Sequence, residues 1–190
     1  MQDDIKIKEF ENTIDNYIDK GFFVVPCKDK IPQMPSWNNA EDQTKDEVLD
    51  FIRSGRANQI GIRTDKYFVI DVDVKHNKDG FESLKKLSKI TNTNFDETLC
   101  AETRSGGRHY FFLTPEDQVV KNTVDLLNGI DIRGKNGFVV AYPSEGYRFI
   151  NTNKPRLPNK DLLDYILKPI AKQNNTIDFK NSLTKVDDGR

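Results

Sequence analysis

The sequence predicts an α+β domain in which antiparallel strands are covered by helices, and three observations carry the prediction. Apolar residues recur at three- and four-residue steps in several segments, each bounded by a capping residue or a glycine, as amphipathic helices require. Between these segments lie short runs of β-branched and aromatic residues, with the composition of strands. Many of those runs are joined by tight turns rich in Gly, Asn and Asp, the turns of antiparallel hairpins.

Taken in order, Ile7, Phe10, Ile14, Tyr17 and Ile18 form one face of a helix over 5–20, with Gly21 as its C-cap. Residues 22–26 predict a short buried strand closed by Pro26, and 28–37 a loop whose lysines, Lys28 and Lys30, read as solvated. Thr44 and Glu47 make a capping box for a helix over 45–54. Gln59–Arg63 predicts a strand that turns at 64–66 into a longer one over 67–74, an apparent hairpin. Asp79 and Glu82 open a third helix through Phe81, Leu84, Leu87 and Ile90. Strands are then expected at 99–103 and 108–113 around the turn Arg104-Ser105-Gly106-Gly107. Thr114-Pro115 has the pattern of a helix start. Strands at 129–133, 138–142 and 147–150 follow as successive hairpins, the first around Asn136-Gly137. Asn159 caps a last helix carrying Leu162, Leu163, Ile166 and Leu167, which closes a domain over 1–168. The stretch 169–190 is expected to be a polar tail or linker.

The 190 residues suffice for one good-sized domain or two small lobes. Hydrophobic content is 36% and charged content 31%, and 12 Phe with 6 Tyr can fill a core, which excludes a disordered chain. There is no run of the roughly 18 apolar residues that a membrane span needs. The start, Met1-Gln2-Asp3-Asp4, lacks the layout of a secretion signal. Cys27 and Cys100 each follow an apolar stretch and are expected as buried, reduced thiols of a cytoplasmic protein. Net charge is −1, from 29 basic and 30 acidic residues, so strong unaided binding to a polyanion is not expected.

The chemistry concentrates on three of the strands. Along residues 67–74, Ile70, Val72 and Val74 share one face while Asp71 and Asp73 share the other. Such neighbouring carboxylates repel unless a cation or proton relieves them. The start Asp71-x-Asp73 invites a calcium loop, but Lys75 and the absence of glycine at the sixth position reject it, leaving His76 as a solvated loop residue. Along 129–133, Asp131 and Arg133 lie opposite Ile130 and Ile132. Along 108–113, His109 lies opposite Tyr110 and Phe112. If the three strands are neighbours, one sheet face is a packed core and the other collects Asp71, Asp73, Asp131 and His109, with Arg133 close by. Carboxylates that position divalent ions are what metal-assisted phosphoryl chemistry uses. The Gly106-Gly107 turn beside Arg104 and Arg108 would let backbone amides and guanidinium groups approach a phosphate.

Asp71-Val72-Asp73, then Ser105-Gly106-Gly107-Arg108-His109-Tyr110-Phe111-Phe112, then Gly129-Ile130-Asp131-Ile132-Arg133-Gly134 leading to Val139-Val140-Ala141-Tyr142-Pro143-Ser144 resemble the three motifs of the bifunctional primase-polymerase (Prim-Pol) domain. That domain belongs to the archaeo-eukaryotic primase superfamily of plasmids, phages and mobile elements. The stretch from Gly21 to Pro26 with Lys30, Pro32 and Trp37 resembles the family's opening, and Gly146-Tyr147 fits after the third motif. The likeness runs from about Gly21 to Ile150. It implies an RRM-like antiparallel sheet with flanking helices, joined to a smaller α/β lobe, with the active site in the cleft between them. It implies that Asp71, Asp73 and Asp131 bind two Mg²⁺ or Mn²⁺ ions and that His109 contacts the triphosphate of an incoming nucleotide. Arg104, Ser105, Arg108, Arg133 and Lys135 are expected as phosphate neighbours. The chain departs from the family pattern at Gly107, where a Ser-x-His motif has its serine, and after Gly134, where Lys135-Asn136 interrupts the glycines.

The activity so implied is template-directed nucleotidyl transfer by a DNA primase or polymerase. Its partners would be a single-stranded DNA template, a primer and nucleoside triphosphates. A helicase or helical-bundle domain supplied beyond Arg190 would add the DNA grip that the near-neutral charge lacks. A metal-dependent nuclease or phosphodiesterase, and a non-catalytic replication-initiation module that binds DNA, are the alternatives that the acidic face alone leaves open.

Overall fold

A computed structural model describes residues 2–41, 43–75 and 78–168. His76 and the segment 169–190 lie outside the described residues, so the expectations for them have no structural counterpart. Among the described residues the fold is mixed α+β, with antiparallel sheets and four α-helices. The order is α1 (Gln2–Asp19), β1 (Val24–Lys28), β2 (Ile31–Pro32), α2 (Lys45–Arg53), β3 (Gln59–Arg63), β4 (Tyr67–Val72), α3 (Gly80–Thr91), β5 (Leu99–Glu102), β6 (Arg108–Leu113), β7 (Thr123–Leu127), β8 (Ile130–Arg133), β9 (Phe138–Ala141), β10 (Arg148–Phe149) and α4 (Lys160–Leu167). A 3₁₀ turn at Phe95–Glu97 sits in the polar loop before β5. No helix among the described residues is long and apolar enough to cross a membrane.

The helices end where the sequence places their caps. Thr44 and Glu47 form both halves of the capping box of α2. The Asp79 carboxylate accepts from the Glu82 N–H at 3.1 Å, and the Asn159 side chain accepts from the Leu162 N–H at 2.8 Å. Each cap satisfies a backbone donor that the first helical turn leaves without a partner.

The strands divide between two sheets. One has four strands in the order β2-β1-β3-β9, the other six in the order β10-β5-β6-β4-β8-β7. Phe68, Ile70, Val72, Tyr110, Phe112, Ile130 and Ile132 of the large sheet pack with Leu84 and Leu87 of α3 and Leu162 and Ile166 of α4. Val24, Ile60, Ile62 and Ala141 of the small sheet pack instead with Phe10, Ile14 and Tyr17 of α1 and Val48 and Leu49 of α2. Burying side chains of this size contributes roughly 1.5–3 kcal/mol each, so each sheet face holds its own helix pair.

This division overturns three expected hairpins. β3 pairs with β1 and β9 rather than with β4. β8 pairs with β4 and β7, so Asn136-Gly137 does not close a hairpin with β9. β10 pairs with β5 rather than β9. The reason is the same for the first two. Consecutive strands whose apolar faces belong to different helix pairs cannot share a sheet, so a tight turn becomes a crossing between sheets. Asn136 does adopt the left-handed conformation, with φ of 61°. Other boundaries also move. The first strand starts at Val24, two residues later than predicted, and Ile31–Pro32 in the expected loop pairs with it. The helix expected after Thr114-Pro115 is absent, and that stretch leads to the edge strand β7, whose half-exposed side chains give it no apolar stripe for a helix.

The two crossings, at 64–66 and 134–137, are bonded to each other. The Thr64 N–H donates to the Gly137 carbonyl at 2.9 Å and its hydroxyl to the Gly134 carbonyl at 2.6 Å, with Thr64 1% exposed. A Cβ on Gly134 would stand 2.2 Å from the Val120 carbonyl, so only glycine fits there. Thr64→Val removes the buried donor while keeping the shape, and leaves the Gly134 carbonyl with the Gly137 N–H, 2.9 Å away, as its remaining partner. It is expected to destabilise the fold by about 0.5–1.5 kcal/mol in urea unfolding, against little change for an exposed control such as Thr152→Val.

Candidate active site

β4 lies between β6 and β8, and the register makes Asp71 the direct cross-strand partner of both His109 and Asp131. The row His109–Asp71–Asp131 thus crosses three adjacent strands on one face, because side chains in register project to the same side. The opposite face carries Val72 and Ile130 of the helix-covered core. The acidic face is not wholly polar: Val69, Ala101 and Phe111 on it pack against Val139 of the small sheet.

Like charges set directly opposite on neighbouring strands are destabilising, and the surroundings of Asp71 and Asp131 compensate them. Arg133 Nη2 lies 2.7 Å from Asp131 Oδ2 and 3.5 Å from Asp71 Oδ2, bridging the two carboxylates. His109 Nε2 lies 3.5 Å from Asp71 Oδ1. The other Asp131 oxygen accepts the Asp125 N–H at 2.8 Å, across an irregularity in the β7–β8 pairing where Asp125 has a left-handed φ of 51°. The Asp125 carboxylate in turn takes Lys78 Nζ at 2.7 Å.

Burial pushes the Asp71 carboxyl up, but the hydrogen bond and charge of His109, then Arg133 and Lys30, outweigh it and hold the group below its ordinary value. Lys30 is the informative member of that set, because it comes from the small sheet. It sits in the β1–β2 turn, where Asp29 and Lys30 both have positive φ and the Lys30 N–H donates to Gln59 Oε1 at 2.9 Å. Tyr147 completes the surroundings: its ring centroid is 6.1 Å from that of His109, and burial with the charge of Asp71 raises its hydroxyl pKa. His109 is 5% exposed and its Nδ1 has no hydrogen-bond partner among the described residues.

Other expected site residues lie elsewhere. β4 ends at Val72, so Asp73 falls just beyond the strand, where its Oδ1 accepts the Lys75 N–H at 3.1 Å. Arg108 is in register with Val72 and Glu102, one residue off the acidic row, and therefore on the opposite face. Its guanidinium bonds the Gly107 carbonyl at 2.9 Å, lies 3.3 Å from Glu102 and sits over the Phe81 ring of α3. Gly107 is glycine because a Cβ would stand 2.2 Å from the Val72 carbonyl; here the turn packs on the end of β4. Ser105 shares a 3.2 Å hydrogen bond with Thr103, Arg104 is an exposed turn residue, and Lys135 is exposed on the second crossing.

Among the described residues no group of three or more His, Cys, Asp or Glu side chains is gathered closely enough to hold a metal ion. The pair Asp71 and Asp131 nonetheless fits a cation in kind, since one cationic group already bridges both carboxylates. Asp73 would have to turn from Lys75 to join them. Lys30 and Tyr147 had sequence signals, the first as a loop lysine and the second in Gly146-Tyr147. Asp125 and Lys78 had none, because their roles follow from strand irregularity and loop path. Cys27 and Cys100 are free, buried thiols whose pKa burial raises to about 12, which rules out a thiolate role at neutral pH.

A family model for the bifunctional DNA primase/polymerase N-terminal domain matches residues 15–162. That span contains the whole row and its neighbours. No curated protein matches the chain.

Because the Asp71 carboxyl is held low, its ionised form stabilises the fold above the ordinary value of 3.8, and that contribution is lost as pH falls through the lowered value. The melting-temperature difference between wild type and Asp71→Asn should therefore be constant from pH 7 to about 5 and then move against the wild type below 3.8. A difference that does not change with pH would show that Asp71 is not held low.

Proposed function

Since the chain belongs to the family of bifunctional DNA primase/polymerase N-terminal domains, we propose that it is a nucleotidyltransferase that extends a DNA primer on a template, in the replication of a plasmid, phage or mobile element. The observation that carries this reading is the register row His109–Asp71–Asp131, with a guanidinium between its carboxylates. In the reaction a primer 3′-hydroxyl oxygen bonds to the α-phosphorus of a nucleoside triphosphate, the bond from that phosphorus to the bridging oxygen breaks, pyrophosphate leaves and the hydroxyl proton is lost.

Each residue then has a task. Asp71 and Asp131, with Asp73 turned from Lys75, would hold Mg²⁺ or Mn²⁺; a divalent ion there neutralises phosphate oxygens and makes the attacking hydroxyl more acidic. His109, whose Nδ1 is buried without a partner among the described residues, offers a hydrogen bond to the triphosphate. Arg133 is close enough to both carboxylates to exchange them for phosphate oxygens, which suit a planar guanidinium better than a single ammonium does. Lys30 adds positive charge from the small sheet. The effect of its charge on Asp71 supports a cleft between the sheets as the place of reaction. The succession β4-α3-β5-β6, with β8 on the other side of β4, supports the RRM-like description of the large sheet, although β7 rather than a helix lies between β6 and β8. Arg108, on the opposite face, is left to bracing the β5–β6 turn.

Asp71→Ala and Asp131→Ala are each expected to reduce primer extension with Mn²⁺ and all four nucleotides by roughly 10²–10³-fold, a loss on the scale of removing a principal transition-state contact, with an unchanged far-UV spectrum. Labelled primer that lengthens supports polymerisation. Primer that shortens would assign a hydrolase instead, and DNA binding indifferent to Asp71 and Asp73, without synthesis, a non-catalytic module. Extension at the wild-type rate by either variant would remove these carboxylates from the reaction.

A further inference from the structure

A cavity of about 750 Å³ opens at the other end of the face that bears Asp71. Tyr67, which lines it, precedes Asp71 by four residues on β4, so roughly 13 Å of strand separates them. Midway, Val69 packs with Ala101, Phe111 and Val139 and walls the cavity off from the acidic row. The cavity is therefore a separate space, within the usual volume of a small-molecule site, roughly 300–1,000 Å³.

Its walls come from both halves of the fold. Tyr17, Phe22 and Ile62 stand on one side, and Tyr67, Phe111 and Phe149 on the other. The rings are ordered: Phe22 stacks on Tyr67 with centroids 4.7 Å apart at 20°, and Tyr17 meets Phe22 edge-on at 5.7 Å. Among the described residues the charged members of the lining are Lys20 and Lys154, both exposed, and no acid lines it. Neither lysine has an acidic partner among the described residues.

An interior whose charged groups, among the described residues, are two ammonium groups without acidic partners disfavours a cationic ligand and favours a flat ring that carries an anion. Nucleobases stack on such walls irrespective of their identity, and lysine ammonium groups at the mouth suit phosphate. We propose that this cavity is a second nucleotide-binding site, which takes a nucleobase against its aromatic walls with the attached phosphate at Lys20 and Lys154. The unit bound is either a free nucleotide or one nucleotide of a single strand. The proposal does not rest on the activity of the acidic row.

The test uses the whole chain in EDTA, so that divalent ions play no part. Binding of dAMP is followed by saturation-transfer NMR, and binding of a fluorescein-labelled dT₈ strand by anisotropy, for the parent and three variants. Lys20→Glu/Lys154→Glu alters two exposed side chains and is expected to weaken binding at least fivefold. Tyr67→Leu keeps an apolar wall, removes the stacking ring and is expected to do the same. Asp71→Asn/Asp131→Asn is expected to stay within twofold of the parent. Loss for dAMP alone assigns a free nucleotide, and loss for dT₈ assigns a strand; both support the site. A 5-bromouracil strand should photocrosslink at Phe22, Tyr67 or Phe149. The proposal is overturned if the parent binds neither ligand, if the lysine reversal leaves both affinities unchanged, or if Asp71→Asn/Asp131→Asn abolishes all binding.

Discussion

Two carboxylates face each other across neighbouring strands at Asp71 and Asp131, and the site is arranged around that repulsion. An apolar pair in those places would have satisfied the sheet. Instead each oxygen of Asp131 is engaged, one by the Asp125 N–H and the other by Arg133, and Asp71 is held between Arg133 and His109. The compensation is assembled from three different strands, β6, β7 and β8. It accommodates two carboxylates whose side chains are 22% and 16% exposed. The group that bridges the two carboxylates is a side chain, so replacing it would need a side chain to move rather than a sheet.

The second requirement is that the two sheets meet without merging. Thr64 bonds both crossings together, where the chain leaves the small sheet after β3 and where it returns to it before β9. Held in this way, β9 lays Val139 on the acidic face and divides it into a polar end and an aromatic end. The small sheet also delivers the β1–β2 turn, and with it Lys30, to the neighbourhood of Asp71. The same packing that separates the helix pairs thus brings chemistry from distant parts of the chain onto one face.

Much of the site was legible because alternation along a strand is a rigid rule. Asp71, Asp131 and His109 each lie opposite core residues in their own strands, and putting the three strands side by side needed only the expectation that the apolar faces coincide. Asp73 obeyed the same alternation but fell past the end of β4, since pairing stops at Val72, where Gly107 closes on its carbonyl. Arg108 shows the cost of counting neighbours along the chain: adjacent to His109 in sequence, it is on the far side of the sheet. The helices were legible from caps and periodicity. The β5–β6 pairing around the turn at 104–107 was legible too, but the expected hairpins at Thr64-Asp65-Lys66 and Asn136-Gly137 were not, because turn chemistry there serves a crossing between sheets as well as a hairpin, and which it becomes depends on the cores to either side. β7 lacks an apolar stripe and owes its existence to pairing with β8. Asp125 and Lys78 depend on that irregular pairing and could not be foreseen.

The most direct test of the account is an anomalous difference map at the manganese edge, from crystals grown with Mn²⁺ and a non-hydrolysable deoxynucleoside triphosphate. The account predicts a manganese peak ligated by Asp71 and Asp131, with the Arg133 guanidinium withdrawn from both carboxylates and His109 against the triphosphate. A map in which Arg133 still bridges the two carboxylates, and manganese is absent from them while the nucleotide is bound, would contradict it.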